Sequence, residues 1–244
     1  MAAARRSFFG RTVVFAGKLL LAVLVVSFAW VAVYRFVPVP LTWPMARDAI
    51  AGKHVEREWT ALSDIGRAVP RAVIGAEDAR FCTHNGFDFA AMEAAAARNA
   101  KAAARGSIKV RGGSTISQQT AKNAFLWPGR SYIRKGLEAY FTVLIEAIWG
   151  KPRIMEVYLN IAEMGPGIYG VEAAAQHYFN RGAAALSPAQ ASRVAAILPQ
   201  PIKRDAAKPG RFVKRYARRI ERRARVVGNA GIDACRHPQD VQDD

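Results

Sequence analysis

Two carboxylates stand side by side at Glu77 and Asp78, inside the stretch GAEDARFCTHNGFDF that runs from Gly75 to Phe89. Adjacent acids repel, and a like-charged neighbour raises a carboxyl pKa. Such a pair is either spread over a solvated surface or used, for example as a proton acceptor. A second group lies in RGGSTISQQTAKNAF, from Arg111 to Phe125. Glycines precede a Ser-Thr pair, and Thr115 with Gln118 fits a capping box at a helix start. Thr115, Gln118, Gln119 and Lys122 share about 100° of a helical wheel. A glycine turn, a helix N-terminus and a lysine on one face make a cradle for an anion, through free N–H groups, the helix dipole and a cation. The lysine sits too far into the helix for a Walker loop. The bland alternative is a polar helix start with a surface lysine.

A third acid, Glu138, has Arg134, Phe141 and Ile145 within about 60° of it on the wheel. That predicts a half-buried carboxylate, with a structural ion pair to Arg134 as the simplest role. Glu156 and Asn160 lie one turn apart on a further helical pattern with Tyr158 between them, a spacing that packing alone also explains. His84 and His177 have no second imidazole at ligand spacing, so no metal site is expected. No Ser-His-Asp set or nucleophile elbow is visible.

The elements that carry these residues read as helices. Asp88 caps an Ala-rich run to Ala104. Leu137, Phe141, Leu144 and Ile148 recur at helical spacing over 134–149, Gly150 stops that helix, and Pro152 opens the next, PRIMEVYLNIAEM. GPGIYG (Gly165–Gly170) reads as a loop, VEAAAQHYF as helix. Ser187 and Pro188 start a helix that ends before Pro199 and Pro201. A last helix, about Gly210 to Val227, shows an apolar stripe of Phe212, Tyr216, Ile220, Ala224 and Val227. No convincing alternation of strands appears, so the expected class is mainly α.

The chain has 244 residues, 51% of them apolar, enough for one domain with a sizeable core. Its net charge is +17, which points to an acidic partner. Residues 203–225 hold eleven Lys or Arg against two acids, Asp205 and Glu221. From Thr12 to Tyr34 only Lys18 interrupts an apolar run, and about 20 such residues cross a bilayer. Arg5, Arg6 and Arg11 precede the run and Arg35 follows it. The positive-inside rule then puts the N-terminus in the cytoplasm and the rest outside. A cleaved signal peptide is the rival, disfavoured by the length of the run. Either way nucleic acid drops out as partner, and anionic lipid or lipid-linked phosphate moves up. The basic face of the last helix is a solvated face, a lipid contact, or both. The expected layout is a cytoplasmic tail (1–11), a transmembrane helix (12–36), a proline-stiffened linker (37–44), a catalytic domain (45–228) and a tail (229–244). Cys82 and Cys235, 153 positions apart, fit no metal spacing, and their pairing is left open.

The order of these motifs resembles the peptidoglycan glycosyltransferases of family 51, the transglycosylase domain of class A penicillin-binding proteins. EDARFCTHNG, GGSTISQQTAKN, RKGLEA and KPRIMEVYLN carry the resemblance, which covers roughly 41–225. The chain departs from the pattern at Gln190, where an acid is common, and in lacking the usual Tyr-Asn-Pro after the proline segment. With no transpeptidase domain following, it looks like the monofunctional branch.

The resemblance implies a lysozyme-like helical domain behind its membrane helix, polymerising lipid II on the outer face of the inner membrane. The 4-hydroxyl of the acceptor GlcNAc attacks the lipid-linked donor with inversion, and undecaprenyl pyrophosphate leaves. It makes Glu77 the catalytic base, with Glu138 the second essential acid. It adds Asp78, Phe81 and His84 from the first motif as substrate-binding, and Gly113, Ser114, Thr115, Gln118, Gln119, Lys122 and Asn123 from the second. Arg130, Arg134 and Lys135 join Lys122 as cations for the leaving diphosphate, and Glu156, Tyr158 and Asn160 complete the set. No tightly bound cofactor is implied, although relatives allow a Mg or Mn ion at the diphosphate. Expected partners are membrane lipids and cell-wall synthesis proteins. A glycan-cleaving hydrolase, or a non-catalytic scaffold, would share the helical class without needing the cation cradle.

Overall fold

The cap signals land where the sequence puts them. The computed structural model describes residues 2–106, 112–129, 131–231, 233 and 235, with backbone only over 2–10. The helices are α1 (Ala2–Phe36), α2 (Trp43–Ile50), α3 (Ala68–Glu77), α4 (Phe89–Ala103), α5 (Ile116–Phe125), α6 (Tyr132–Ile148), α7 (Gly150–Ile161), α8 (Val171–Phe179), α9 (Pro188–Ile197) and α10 (Arg211–Asn229). Asp88 accepts the Ala91 N–H at the start of α4, and Thr115/Gln118 form the capping box of α5. Ser187 and Gln190 form the capping box of α9, so Gln190 does at this position what an acid would do. The fold is mainly α, as expected.

Two compact units divide the chain, 1–37 and 38–244. The first is α1, whose stretch Arg11–Phe36 spans 26 residues. At about 1.5 Å per residue it is longer than a hydrocarbon core of about 30 Å. The helix also runs back through the residues assigned to the N-terminal tail.

The second unit holds two groups of helices. In one, α3, α9 and α10 pack on one another; in the other, α5 packs on α6 and α7. A small sheet, order β1-β3-β2, joins β1 (Glu56–Arg57), β2 (Glu163–Gly165) and β3 (Ile168–Tyr169), with β1 parallel and β2 antiparallel to β3. The GPGIYG segment is therefore part of a hairpin and not a plain loop, and Glu163 and Met164 leave the helix predicted for them. The linker also differs: Trp43 and Pro44 open α2, with Pro at the first turn where its missing N–H costs nothing. Arg57 donates to the carbonyls of Val39 and Pro40, fastening the proline segment to β1.

In α10 the buried stripe is Val213, Ala217, Ile220, Ala224 and Val227. The predicted stripe is right from Ile220 onward. Phe212 is exposed instead, and Tyr216 leans toward α3, because the first turns of α10 lie beside the end of that helix.

Cys82 and Cys235 are bridged, their Cα atoms 5.4 Å apart. The nearby Arg71–Asp233 ion pair (2.8 Å) fastens the same C-terminal segment to α3. Closing so long a loop restricts the unfolded chain, a stabilisation of about 2–4 kcal/mol. Replacing both cysteines by serine should therefore lower the thermal midpoint by roughly 10 °C. A melt within 2 °C or so of wild type would show that the bridge adds little.

Candidate active site

Glu77 is the last residue of α3, and its side chain crosses to the α5 group. Its Oε2 accepts a hydrogen bond from Gln119 Nε2 (3.0 Å). Gln119 Oε1 in turn accepts from the Tyr158 hydroxyl (3.4 Å) on α7. Tyr158 is fully buried, and burial together with the charges of Glu77 and Asp78 holds its hydroxyl well above the usual pKa, so it stays a donor. A tyrosine thus orients an amide, and the amide orients a carboxylate. Burial raises the pKa of Glu77, and the Asp78 charge adds to the rise. The Gln119 bond, Arg204 and Lys122 pull the other way.

Asp78 plays a different part. Its carboxylate is buried, accepts the Ile116 N–H (3.0 Å) at the start of α5, and faces His84 Nε2 at 3.0 Å. It ties the Glu77 loop to the helix that carries Gln119 and Lys122. This answers why two acids stand together: one is presented to the cleft and the other is bound up in structure. Phe81 is wholly buried beneath the Lys151 ammonium (4.6 Å from the ring) and packs edge-on against His84. Phe81 has no surface free for a substrate, whereas Asp78, although buried, lines the cleft beside Glu77.

Lys122, one turn before the end of α5, sits between the acids. Burial depresses its pKa and Arg134 and Lys135 press the same way, while Glu138 and Glu77 oppose. Among the described residues the Lys122 ammonium makes no hydrogen bond. Glu138 is buried on α6, and Arg134 (3.3 Å) and Lys135 both bind its carboxylate. The predicted ion pair to Arg134 is present, and Lys135 is added to it. Glu138 is the counter-charge that lets three cations stand together before an anionic ligand arrives. Arg130 lies outside the described residues.

The rest of the predicted set divides clearly. Gly113 and Ser114 line, with Glu77, Arg80 and Arg98, a cleft of about 510 Å³. A Cβ on Gly113 would meet Met92 Cα at 3.1 Å and Ala95 Cβ at 3.2 Å, so glycine lets this wall close on α4. Thr115 and Gln118 are buried in the capping box, and the Thr115 hydroxyl also donates to Gly86 O (2.6 Å). Asn123 is partly exposed on α5. Glu156 and Asn160 are occupied elsewhere. Asn160 exchanges two 2.8 Å hydrogen bonds with the backbone of Thr60. Glu156 binds Arg153 and the Leu62 N–H. Both hold the segment before α3, so their one-turn spacing serves to support the backbone there.

Sequence reasoning missed Glu146, which binds Ser117 and Lys151 and locks α5 to α6. It also missed Arg204, beside Glu77. Neither role has a local signal, since Ser117 lies 29 positions from Glu146 and Glu77 far from Arg204 along the chain.

The family model described as Transglycosylase matches residues 46–230. The chain belongs to the transglycosylase family. Three relatives called biosynthetic peptidoglycan transglycosylase align over most of it. The Caulobacter vibrioides protein is 53% identical over 84% of this chain and 87% of its own length. That of Bdellovibrio bacteriovorus is 50% identical over 89% and 87%, and that of Jannaschia sp. 47% identical over 84% and 82%. As a transglycosylase the chain is an enzyme, and the convergence of Glu77, Lys122 and Glu138 is where its chemistry is to be sought.

Proposed function

We propose that this transglycosylase builds peptidoglycan glycan strands from lipid II, with Glu77 as general base. One observation carries the reading: the half-buried Glu77 carboxylate, aimed by Gln119, shares a site with Lys122 and the Glu138–Arg134–Lys135 group. Glu77 takes the proton of the acceptor 4-hydroxyl as its oxygen bonds to the donor anomeric carbon. The bond from that carbon to the diphosphate breaks with inversion. The diphosphate leaves with the bonding electron pair, passing from two negative charges to three, and needs charge neutralisation rather than a proton, which Lys122 and its neighbours supply. Their cationic donor set does not suit a resident divalent ion, because both oxygens of Glu138 already bind cations. No group of three His, Cys, Asp or Glu at metal-holding geometry occurs among the described residues. A Mg or Mn ion accompanying the diphosphate would belong to the substrate.

The apolar helix α1 is compatible with a single membrane pass. In the proposed orientation its N-terminus is cytoplasmic and the catalytic unit faces the outer surface, where lipid-linked donor and acceptor share its plane. The disulfide fits an oxidising compartment. The exposed Lys and Arg of α10 suit anionic head groups.

Incubating the full chain with purified lipid II in detergent tests the proposal. It should yield linear glycan strands and free undecaprenyl diphosphate. Absence of polymer, or cleavage of preformed strands instead, would refute it.

A further inference from the structure

In the proposed reaction donor and acceptor both end in a diphosphate. The site therefore needs two places that meet such charge, one on each side of the proton acceptor. Lys122 with Arg134 and Lys135 supplies the first, on the α5–α6 side. The α9–α10 side supplies another cation.

Arg204 lies in the segment between α9 and α10. Its Nη1 donates to Ala196 O (2.8 Å), and its guanidinium lies 4.7 Å over the Phe212 ring. These contacts fix the plane of the group without neutralising it. Among the described residues no carboxylate pairs with Arg204. Two further contacts bracket the end of α3: the Tyr216 hydroxyl donates to Ala76 O (3.3 Å), and Arg223 Nη1 to Gly75 O (3.3 Å). Both carbonyls belong to the two residues just before Glu77. Arg204 is near enough to Glu77 to pull its pKa down, ahead of Lys122. Tyr216 feels Glu77, Arg223, Arg204 and Arg219 together. Glu77 thus has near it both a lysine on α5 and an arginine held by α9 and α10, each acting on its charge.

We propose that Arg204 is the acceptor-side anion site, binding the diphosphate of the incoming lipid-linked sugar while Lys122 and Arg134 bind that of the donor. The chemistry suits it. A planar guanidinium held on an aromatic face is pre-organised for two parallel hydrogen bonds to phosphate oxygens. Its fixed position would also set how far the acceptor hydroxyl lies from Glu77, so one residue would serve both affinity and alignment. The proposal rests on lipid II polymerisation being the reaction.

A two-substrate assay on the full chain separates the sites, with a preformed lipid-linked tetrasaccharide as donor and lipid II as acceptor. Arg204→Gln should raise the acceptor KM about tenfold, the loss of one charge-assisted contact. It should change the donor KM less than about twofold, and Arg204→Lys should recover much of the loss. Lys122→Gln should show the opposite split. Equal rises in both KM values for Arg204→Gln, or no rise in either, would overturn the assignment. A wild-type chain that makes no polymer would instead overturn the reaction on which it rests. Circular dichroism of Arg204→Gln identifies a variant that has lost its fold, and Arg204→Lys then carries the test.

Discussion

Glu77→Gln should lower the rate of glycan polymerisation by about a thousandfold while leaving substrate affinity within a few fold. General base catalysis contributes roughly 10²–10⁴. The amide keeps the shape and the contact with Gln119 but cannot accept a proton from the attacking hydroxyl. The same substitution should raise thermal stability at neutral pH. The sign follows from linkage. Glu77 has a folded pKa above its unfolded one, because burial disfavours the charge. Its neutral form is therefore the one the fold prefers. As pH rises from the ordinary carboxylate range through the raised folded value, stability is lost, and glutamine escapes that loss. A variant that is more stable and nearly inactive is the expected pairing for a strained functional acid. Initial rates with saturating lipid II, and a melt at neutral pH, measure the two halves. Near-normal turnover would remove Glu77 from the role.

Lys122→Ala should have the next largest effect, a 10- to 100-fold rise in donor KM, as expected for losing a hydrogen bond to a charged group worth about 1.5–3 kcal/mol. The fold should persist, because the Lys122 ammonium makes no hydrogen bond or ion pair among the described residues and Glu138 keeps Arg134 and Lys135. Unchanged donor affinity, measured with the lipid-linked tetrasaccharide, would show that the cradle lies elsewhere.

Much of this was legible in the sequence, and the parts that were not share a cause. The caps at Asp88, Thr115 and Ser187 are local chemistry, written within four residues, and all are present. The helical wheel put Gln119 and Lys122 on one face, and that face is the one turned to Glu77 and Glu138. What periodicity does not report is which element packs against that face. Glu156 and Asn160 have a site-like spacing, yet their partners are backbone groups about 100 positions away. The hairpin around GPGIYG pairs with β1 more than 100 residues earlier, so no local alternation announces it. Phe212 was placed in the core stripe of α10, but Arg204 covers it from a loop whose path no spacing rule gives. Arg204 itself follows the proline segment where the chain lacks the family's usual Tyr-Asn-Pro, so resemblance offered no guide to it.

The pH dependence of kcat/KM for lipid II polymerisation bears most directly on the central claim, since it reports ionisation in the free enzyme. Groups facing Glu77 act in known directions: burial and Asp78 raise its pKa, while Gln119, Arg204 and Lys122 lower it, with a net rise. The rate should increase with pH along a single acid limb whose midpoint lies above the ordinary carboxylate range. Glu77→Gln should show a low residual rate without that limb. A midpoint at the ordinary value, or the same limb surviving in Glu77→Gln, would contradict the half-buried carboxylate at position 77 as the proton acceptor.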